Sequence, residues 1–275
     1  MTVNCRGKLI DLSTPVVMGV LNLTPDSFHK ASRISSEKQL ITRARKMLAD
    51  GALILDLGGM SSRPGAKIVS EGVELKRVLP HLKNLLKHFP NAIISIDTIH
   101  SSVAERCLQE GAHIINDISA GTYDKKMLRT VAACKAPFIA MHMKGLPHNM
   151  QQNPRYKNVV TEVMDFLARR IAACNKAGIT DVIIDPGFGF GKTIEHNYTL
   201  LRNLQYFKQL NVPVLAGLSR KGMLYKLLGT ESSKALNATT SANTIALLKG
   251  AKLLRVHDVK EAVEAVKIVR AVQQL

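Results

Sequence analysis

Eight times along the chain, a short apolar run gives way to a longer stretch whose apolar residues recur at three- and four-residue spacing. The runs lie at 16–23, 52–57, 92–96, 113–115, 137–141, 181–184, 212–216 and 252–256. The longer stretches lie at 37–49, 71–88, 102–110, 125–134, 159–177, 196–209, 235–249 and 259–272. In the first of them Leu40, Ile41, Ala44, Met47 and Leu48 share one face, as an amphipathic helix requires. Runs without polar alternation belong to strands buried on both faces, and such strands joined by helices form a parallel sheet. Eight strand–helix units in about 260 residues predict an α/β fold, a single closed (β/α)8 TIM barrel. Gly51, Gly111, Gly178 and Gly250 each fall between a helical stretch and the next strand, where a left-handed cap is wanted. Residues 2–11, with Arg6-Gly7-Lys8 at their centre, read as an N-terminal β-hairpin covering one mouth of the barrel. No linker or shift in composition divides residues 1–275, so one domain is expected.

Composition narrows the class of function. Hydrophobic residues make up 46% of the chain, ample for a core of this size. No stretch approaches the ~20 apolar residues of a membrane span, and the N-terminus lacks a signal-peptide core, so a cytoplasmic protein without a membrane association is expected. Cys5, Cys107, Cys134 and Cys174 are far apart and read as free thiols rather than disulfides or a zinc site. The net charge of +17 suits nucleic acid, anionic membrane or anionic small molecules. With no Trp, 5 Tyr and 7 Phe to stack on bases, and with dispersed lysines, no nucleic-acid partner is expected. A solvated basic surface accounts for most of the excess.

In such barrels the chemistry sits at the C-terminal strand ends. There the chain places Asn22, Asp56, Asp97, Asn116 with Asp117, His142 with Lys144, Asp185, then Ser219-Arg220-Lys221, and Arg255 with His257 and Asp258. Asp26, Asp117, Asp124 and Asp258 are explained by helix capping and turns. Caps do not call for Lys221, Arg255 and His257. Asp97, Asn116 and Asp185 are rich in acceptors and suit a flat heterocycle with several N–H donors. Asn22, Arg63, Lys221, Arg255 and His257 offer donors or cations suited to phosphate or carboxylate. The loop after the second strand, Gly58 to Gly65, has the composition of a substrate loop or lid. Residues 187–193, Gly-Phe-Gly-Phe-Gly-Lys-Thr, imitate a phosphate-binding loop but are one residue short of it, so no ATP site is expected.

Several of these strand ends fall within longer motifs. They are Asn22-Leu23-Thr24-Pro25-Asp26-Ser27-Phe28, Gly58-Gly59 with Ser62-Arg63-Pro64-Gly65, Ser95-Ile96-Asp97-Thr98 and Ile115-Asn116-Asp117. Met141-His142-Met143, residues 185–192, Ser219-Arg220-Lys221 and residues 255–259 follow in order. By these motifs the chain resembles the dihydropteroate synthase family, folate-pathway barrel enzymes targeted by sulfonamides.

The resemblance implies condensation of 7,8-dihydropterin-6-ylmethyl diphosphate with 4-aminobenzoate, giving 7,8-dihydropteroate and diphosphate. It assigns the pterin to Asp97, Asn116, Asp185 and Lys221. Asn22, Arg255 and His257 fall to diphosphate and Mg²⁺, with Asn22 as the metal ligand. Phe28, Ser62, Arg63, Pro64 and Ser219 fall to 4-aminobenzoate. Asp97, Asp185, Lys221, Arg255 and His257 are the implied catalytic set, acting by charge and position on a dissociating C–O bond. A homodimer is also implied. The chain departs from the family pattern at Lys30, at Met60 and at Gly222-Met223. The rival reading, a pterin-dependent methyltransferase on the same barrel, leaves the cations of residues 219–221 and 255–257 without a use.

Overall fold

The computed structural model describes residues 1–24 and 36–273. Phe28, Asp26 and Lys30 lie outside the described residues. Two short strands, β1 (Thr2–Cys5) and β2 (Lys8–Asp11), pair antiparallel as a hairpin. Its two-residue turn is Arg6-Gly7, both at positive φ (54° and 96°), the conformation that matches strand twist and that glycine adopts readily.

The barrel strands are β3 (Val16–Asn22), β4 (Ile54–Gly58), β5 (Ile93–Asp97), β6 (Ile114–Asp117), β7 (Phe138–Met141), β8 (Val182–Asp185), β9 (Leu215–Ala216) and β10 (Leu253–Val256). All pair in parallel in the spatial order β8-β7-β6-β5-β4-β3-β10-β9. A parallel bridge from Ile184 to Val214 joins the two ends of that order and closes the barrel. The expected eight-stranded barrel and its hairpin are both present.

Around it run α1 (Glu37–Ala49), α2 (Glu71–His88), α3 (Ser101–Gln109), α4 (Met127–Ala133), α5 (Val159–Ala177), α6 (Ile194–Arg202), α7 (Gly222–Leu227), α8 (Leu236–Leu248) and α9 (Val259–Gln273). Local chemistry starts several of them. Ser36 caps α1 through Gln39 N–H, Asn158 caps α5, and Thr193 with His196 forms a reciprocal box at α6. Two sequence expectations change. The helix expected over 196–209 ends at Arg202 and continues as a 3₁₀ segment, Leu204–Leu210. The strand expected over 212–216 shortens to two residues, and the unexpected α7 follows it.

Side-chain alternation then separates two environments. Residues facing away from the barrel axis, such as Leu55, Ile94, Ile115 and Leu254, join the core beneath the helices. One inward residue from every strand forms a lower ring: Met18, Ile54, Ile93, Ile114, Ile139, Ile183, Leu215 and Leu253. The hairpin's Val3, Cys5 and Ile10, with Leu12, pack onto that ring. Two residues further along the strands, five of the eight inward positions turn polar, Asp56, Ser95, Asn116, Asp185 and Arg255, the others being Val20, Met141 and Gly217. The period of two thus lifts the polar layer toward the C-terminal mouth.

Candidate active site

A cavity of about 740 Å³ opens at that mouth. It brings together Asn22, Ser62, Arg63, Pro64, Asp97, Asn116, Asp185, Ser219, Lys221, Arg255 and His257, from seven of the eight strand ends. Every site residue expected from the sequence and described by the structure therefore lines one cavity.

Arg255 is held by two carboxylates. Its Nε donates to Asp56 Oδ2 and its Nη2 to Asp97 Oδ2, each at 2.7 Å. Two of its nitrogens are thus committed within the protein, which a purely phosphate-binding role did not anticipate. Asp97 is buried, and burial pushes its carboxyl up to about 7 against the opposing pull of Arg255. Asp185 accepts the Gly187 N–H at 2.7 Å through Oδ1, and burial raises its carboxyl too. Lys221 Nζ lies 4.1 Å from the centre of the Phe190 ring, and burial lowers its ammonium to about 8. The carboxylates of Asp56, Asp97 and Asp185 thus gather around the cations Arg255 and Lys221, and with these five groups ionised the cluster carries an excess negative charge.

His257 accompanies Ser219: its Nδ1 lies 3.0 Å from the Ser219 Oγ, which also accepts the His257 N–H at 3.2 Å. Burial beside Arg255 lowers His257 to about 3, so the ring is neutral at pH 7 and acts as a hydrogen-bonding group rather than a cation.

The glycine-rich loop after β8 is held from within. Buried Lys192 donates to the Gly187 and Phe190 carbonyls at 2.8 and 3.0 Å and meets His142 Nδ1 at 2.9 Å. Lys192 is thus committed to the loop itself, and burial holds it well below an ordinary lysine. His142, lowered to about 2 by burial and by Lys192, is a neutral partner and does not line the cavity. Gly187 has φ 71°, and a Cβ there would collide with the His142 carbonyl oxygen.

The loop after β4 is anchored more firmly than its composition suggests. Met60, Ile99, Ile118, Met141, Met150 and Phe190 form an apolar cluster against which Ile68 and Val69 pack. Gly65 N–H donates to the Pro147 carbonyl at 2.8 Å, and Arg77 holds the Gly59 carbonyl. Met60, a departure from the family pattern, is therefore a packing residue. Asp117, assigned to turns, caps its own loop by accepting from Ser119 and Gly121 N–H. Asp258 is instead paired with Arg220.

The sequence reading placed Asp56 at a strand end but gave it no role. A lone carboxylate at the inward position of an otherwise apolar strand needs a cationic partner, and that was the available signal.

A model of the pterin binding enzymes matches residues 18–257. The dihydropteroate synthase of Escherichia coli (strain K12) is 42% identical over 273 residues, covering 98% of this chain and 96% of that protein. A Yersinia pestis dihydropteroate synthase solved with a sulfonamide drug complex superposes with a TM-score of 0.96 at 40% identity, covering all of both chains. A Thermus thermophilus dihydropteroate synthase in complex with 4-aminobenzoate has a TM-score of 0.89 at 40% identity, covering 98% of this chain and 99% of that one. The chain belongs to the pterin-binding enzyme family and, within it, to the dihydropteroate synthases, which are transferases.

Proposed function

We propose that the chain condenses 7,8-dihydropterin-6-ylmethyl diphosphate with 4-aminobenzoate, releasing 7,8-dihydropteroate and diphosphate. The observation that carries this reading is the buried set of Asp97, Asn116 and Asp185 beside Lys221 and Arg255 in one cavity. Asp185 and Asp97 accept N–H donors of the pterin, and Asn116 supplies a neutral amide beside them. As the methylene–oxygen bond breaks, positive charge spreads into the dihydropterin. The negative pocket stabilises that charge from fixed positions, with little reorganisation. The 4-aminobenzoate nitrogen, neutral at pH 7, then forms the new C–N bond and gives up its proton to solvent. Ser62, Arg63, Pro64 and Ser219 form the acceptor side of the cavity in this reading, and the family resemblance assigns Phe28, outside the described residues, to the same substrate. His257 and the remaining nitrogen of Arg255 face the departing diphosphate. Binding energy is spent on orientation, and no protein nucleophile is needed.

The donor set fits a Mg²⁺ held jointly with substrate phosphates and water. Among the described residues no group of three or more His, Cys, Asp or Glu is placed to hold a metal. Asn22 lines the cavity and brings a hard amide oxygen there, whereas Asp97 Oδ2 is already bound by Arg255. Mg²⁺ commonly uses one or two protein oxygens together with substrate phosphates and water. Asn22 would hold the metal, whose charge would help neutralise the leaving diphosphate.

A homodimer and a cytoplasmic location complete the reading. Ile245 and Leu248 on α8, with Ile268 and Val272 on α9, are 43–63% exposed on neighbouring helices and support subunit packing. No described helix is long and apolar enough to cross a membrane. Incubation with both substrates and Mg²⁺, followed by chromatography, tests the activity. Absence of 7,8-dihydropteroate overturns it, and a monomeric mass in solution overturns the dimer.

A further inference from the structure

Asp56 is fully buried in the middle of β4, between inward-facing Ile54 and Gly58, and does not line the cavity. Its Oδ2 nevertheless touches two residues that do. It accepts from Arg255 Nε at 2.7 Å and from Asn116 Nδ2 at 3.2 Å.

Building on the pterin-pocket reading above, we propose that Asp56 is a positioning residue that fixes which end of the Asn116 carboxamide faces the ligand. The two orientations of an amide are almost identical in shape, so an asparagine in a polar pocket has no intrinsic preference between them. A carboxylate breaks that degeneracy, because it has no hydrogen to give and so draws the amide nitrogen toward itself. The nitrogen of Asn116 is thereby turned to Asp56, and the amide oxygen is the atom left for the cavity. The same Asp56 oxygen takes Arg255 Nε, while Arg255 Nη2 is bound to Asp97 at 2.7 Å. The guanidinium plane is therefore pinned between carboxylates on adjacent strands, β4 and β5. One side chain from below thus sets the orientation of two side chains above it. The pocket keeps an acceptor-rich face toward a heterocycle bearing N–H donors.

The test removes the two ends of the Asp56–Asn116 bond singly and together. In Asp56→Asn the new amide can donate as well as accept, so Asn116 is free to turn, and Arg255 loses a charged partner. We expect the Kd for 6-hydroxymethyl-7,8-dihydropterin, measured by calorimetry, to rise by about tenfold or more. On an Asn116→Ala background no amide is left to orient, so there we expect Asp56→Asn to raise the Kd by only about threefold. A purely structural role for Asp56 predicts the same loss on both backgrounds. An unchanged Kd in Asp56→Asn, or an equal loss on both backgrounds, overturns the proposal.

Nitrogen-15 spectra of the unsubstituted protein decide the matter if the variants do not fold. The Asn116 side-chain protons should exchange slowly with solvent when no ligand is present, and rapid exchange overturns the proposal. That measurement needs neither ligand nor turnover, so it separates failure of this inference from failure of the proposed activity, which the product assay reports.

Discussion

Arg220 and Asp258 are joined by two parallel hydrogen bonds, Nε to Oδ2 and Nη2 to Oδ1, each 2.9 Å. Arg220 Nη1 also donates to the Ser232 and Ser233 carbonyls. The loop after β9 is thus fastened to the start of α9, and the cavity residues Ser219 and Lys221 inherit their positions from the arginine between them. Truncation to alanine leaves a partly buried aspartate without its partner, a loss between about 1 kcal/mol for an exposed pair and about 3–5 kcal/mol for a fully buried one. We expect Arg220→Ala to lower stability by that order and to weaken 4-aminobenzoate binding. Arg220→Lys should rescue little, since an ammonium cannot reproduce the fork. Denaturant unfolding beside ligand titration checks both, and a loss below about 1 kcal/mol would contradict the fastening role.

Asp185→Asn removes a charge and places N–H donors where the pterin presents donors of its own. The loss of a charge-assisted hydrogen bond typically costs about 1.5–3 kcal/mol, or roughly tenfold to more than a hundredfold in affinity. Calorimetry with the pterin substrate should register that loss with the variant still folded. Unchanged affinity would remove Asp185 from the pterin site.

Gly187→Ala should be far more damaging than an ordinary surface substitution. The added Cβ runs into the His142 carbonyl oxygen in a backbone already at φ 71°, so the loop after β8 must shift. We expect a marked fall in melting temperature together with loss of pterin binding, because Asp185 Oδ1 is held by the Gly187 N–H. A melting temperature equal to that of the parent would show that the loop yields without cost.

Glu74 on α2 provides a pH test. It is completely buried, accepts from Thr98 Oγ1 at 3.0 Å, and burial pushes its carboxyl up to about 8 from an ordinary 4.5. Between those values the folded protein retains a proton that the unfolded chain releases. This group's contribution is therefore fully present below about pH 4.5 and is lost as pH rises through about 8. Glu74→Gln keeps an acceptor for Thr98 and removes the titration. Thermal unfolding across pH should find the variant gaining on the parent from about pH 5 to about pH 9, by several degrees at the upper end. A constant difference would deny the shift.

Substrate order follows from what builds the acceptor pocket. In the proposed reaction 4-aminobenzoate meets a finished pocket only after pterin, diphosphate and Mg²⁺ are in place. Alone it should bind feebly; with the other three its affinity should rise. Tight binding to the ligand-free protein would reverse the order. Retention of the enhancement in EDTA would give the metal a lesser part.

The alternation of apolar runs and helical stretches was enough to read the barrel, because a strand buried on both faces and an amphipathic helix each announce themselves over a few residues. Strand β9 was overextended, since its two paired residues owe their place to neighbours on β10 rather than to their own pattern. Helix α7 is too short for a period to emerge. Asp97, Asn116, Asp185, Lys221, Arg255 and His257 were visible as polar residues at strand ends. Which residues pair with which was not. The bond between Arg255 and Asp56 spans 199 positions, and that between Arg220 and Asp258 spans 38, separations that leave no local trace. Sequence chemistry marked Arg255 as a cation suited to an anion. The fold surrounds it with anions belonging to the chain itself.

The hairpin β1–β2 closes one end of this barrel. Where Val3, Cys5, Ile10 and Leu12 meet the ring of eight inward residues, the described contacts are apolar. A reactive cation formed near the other end has this oily floor beneath it, and the amine arrives from the open side. A shortened chain lacking residues 1–12 would keep every residue of the cavity and yet lay bare an oily floor. Such a chain would aggregate before it lost any chemistry, so the first dozen residues guard the reaction from the side on which nothing reacts.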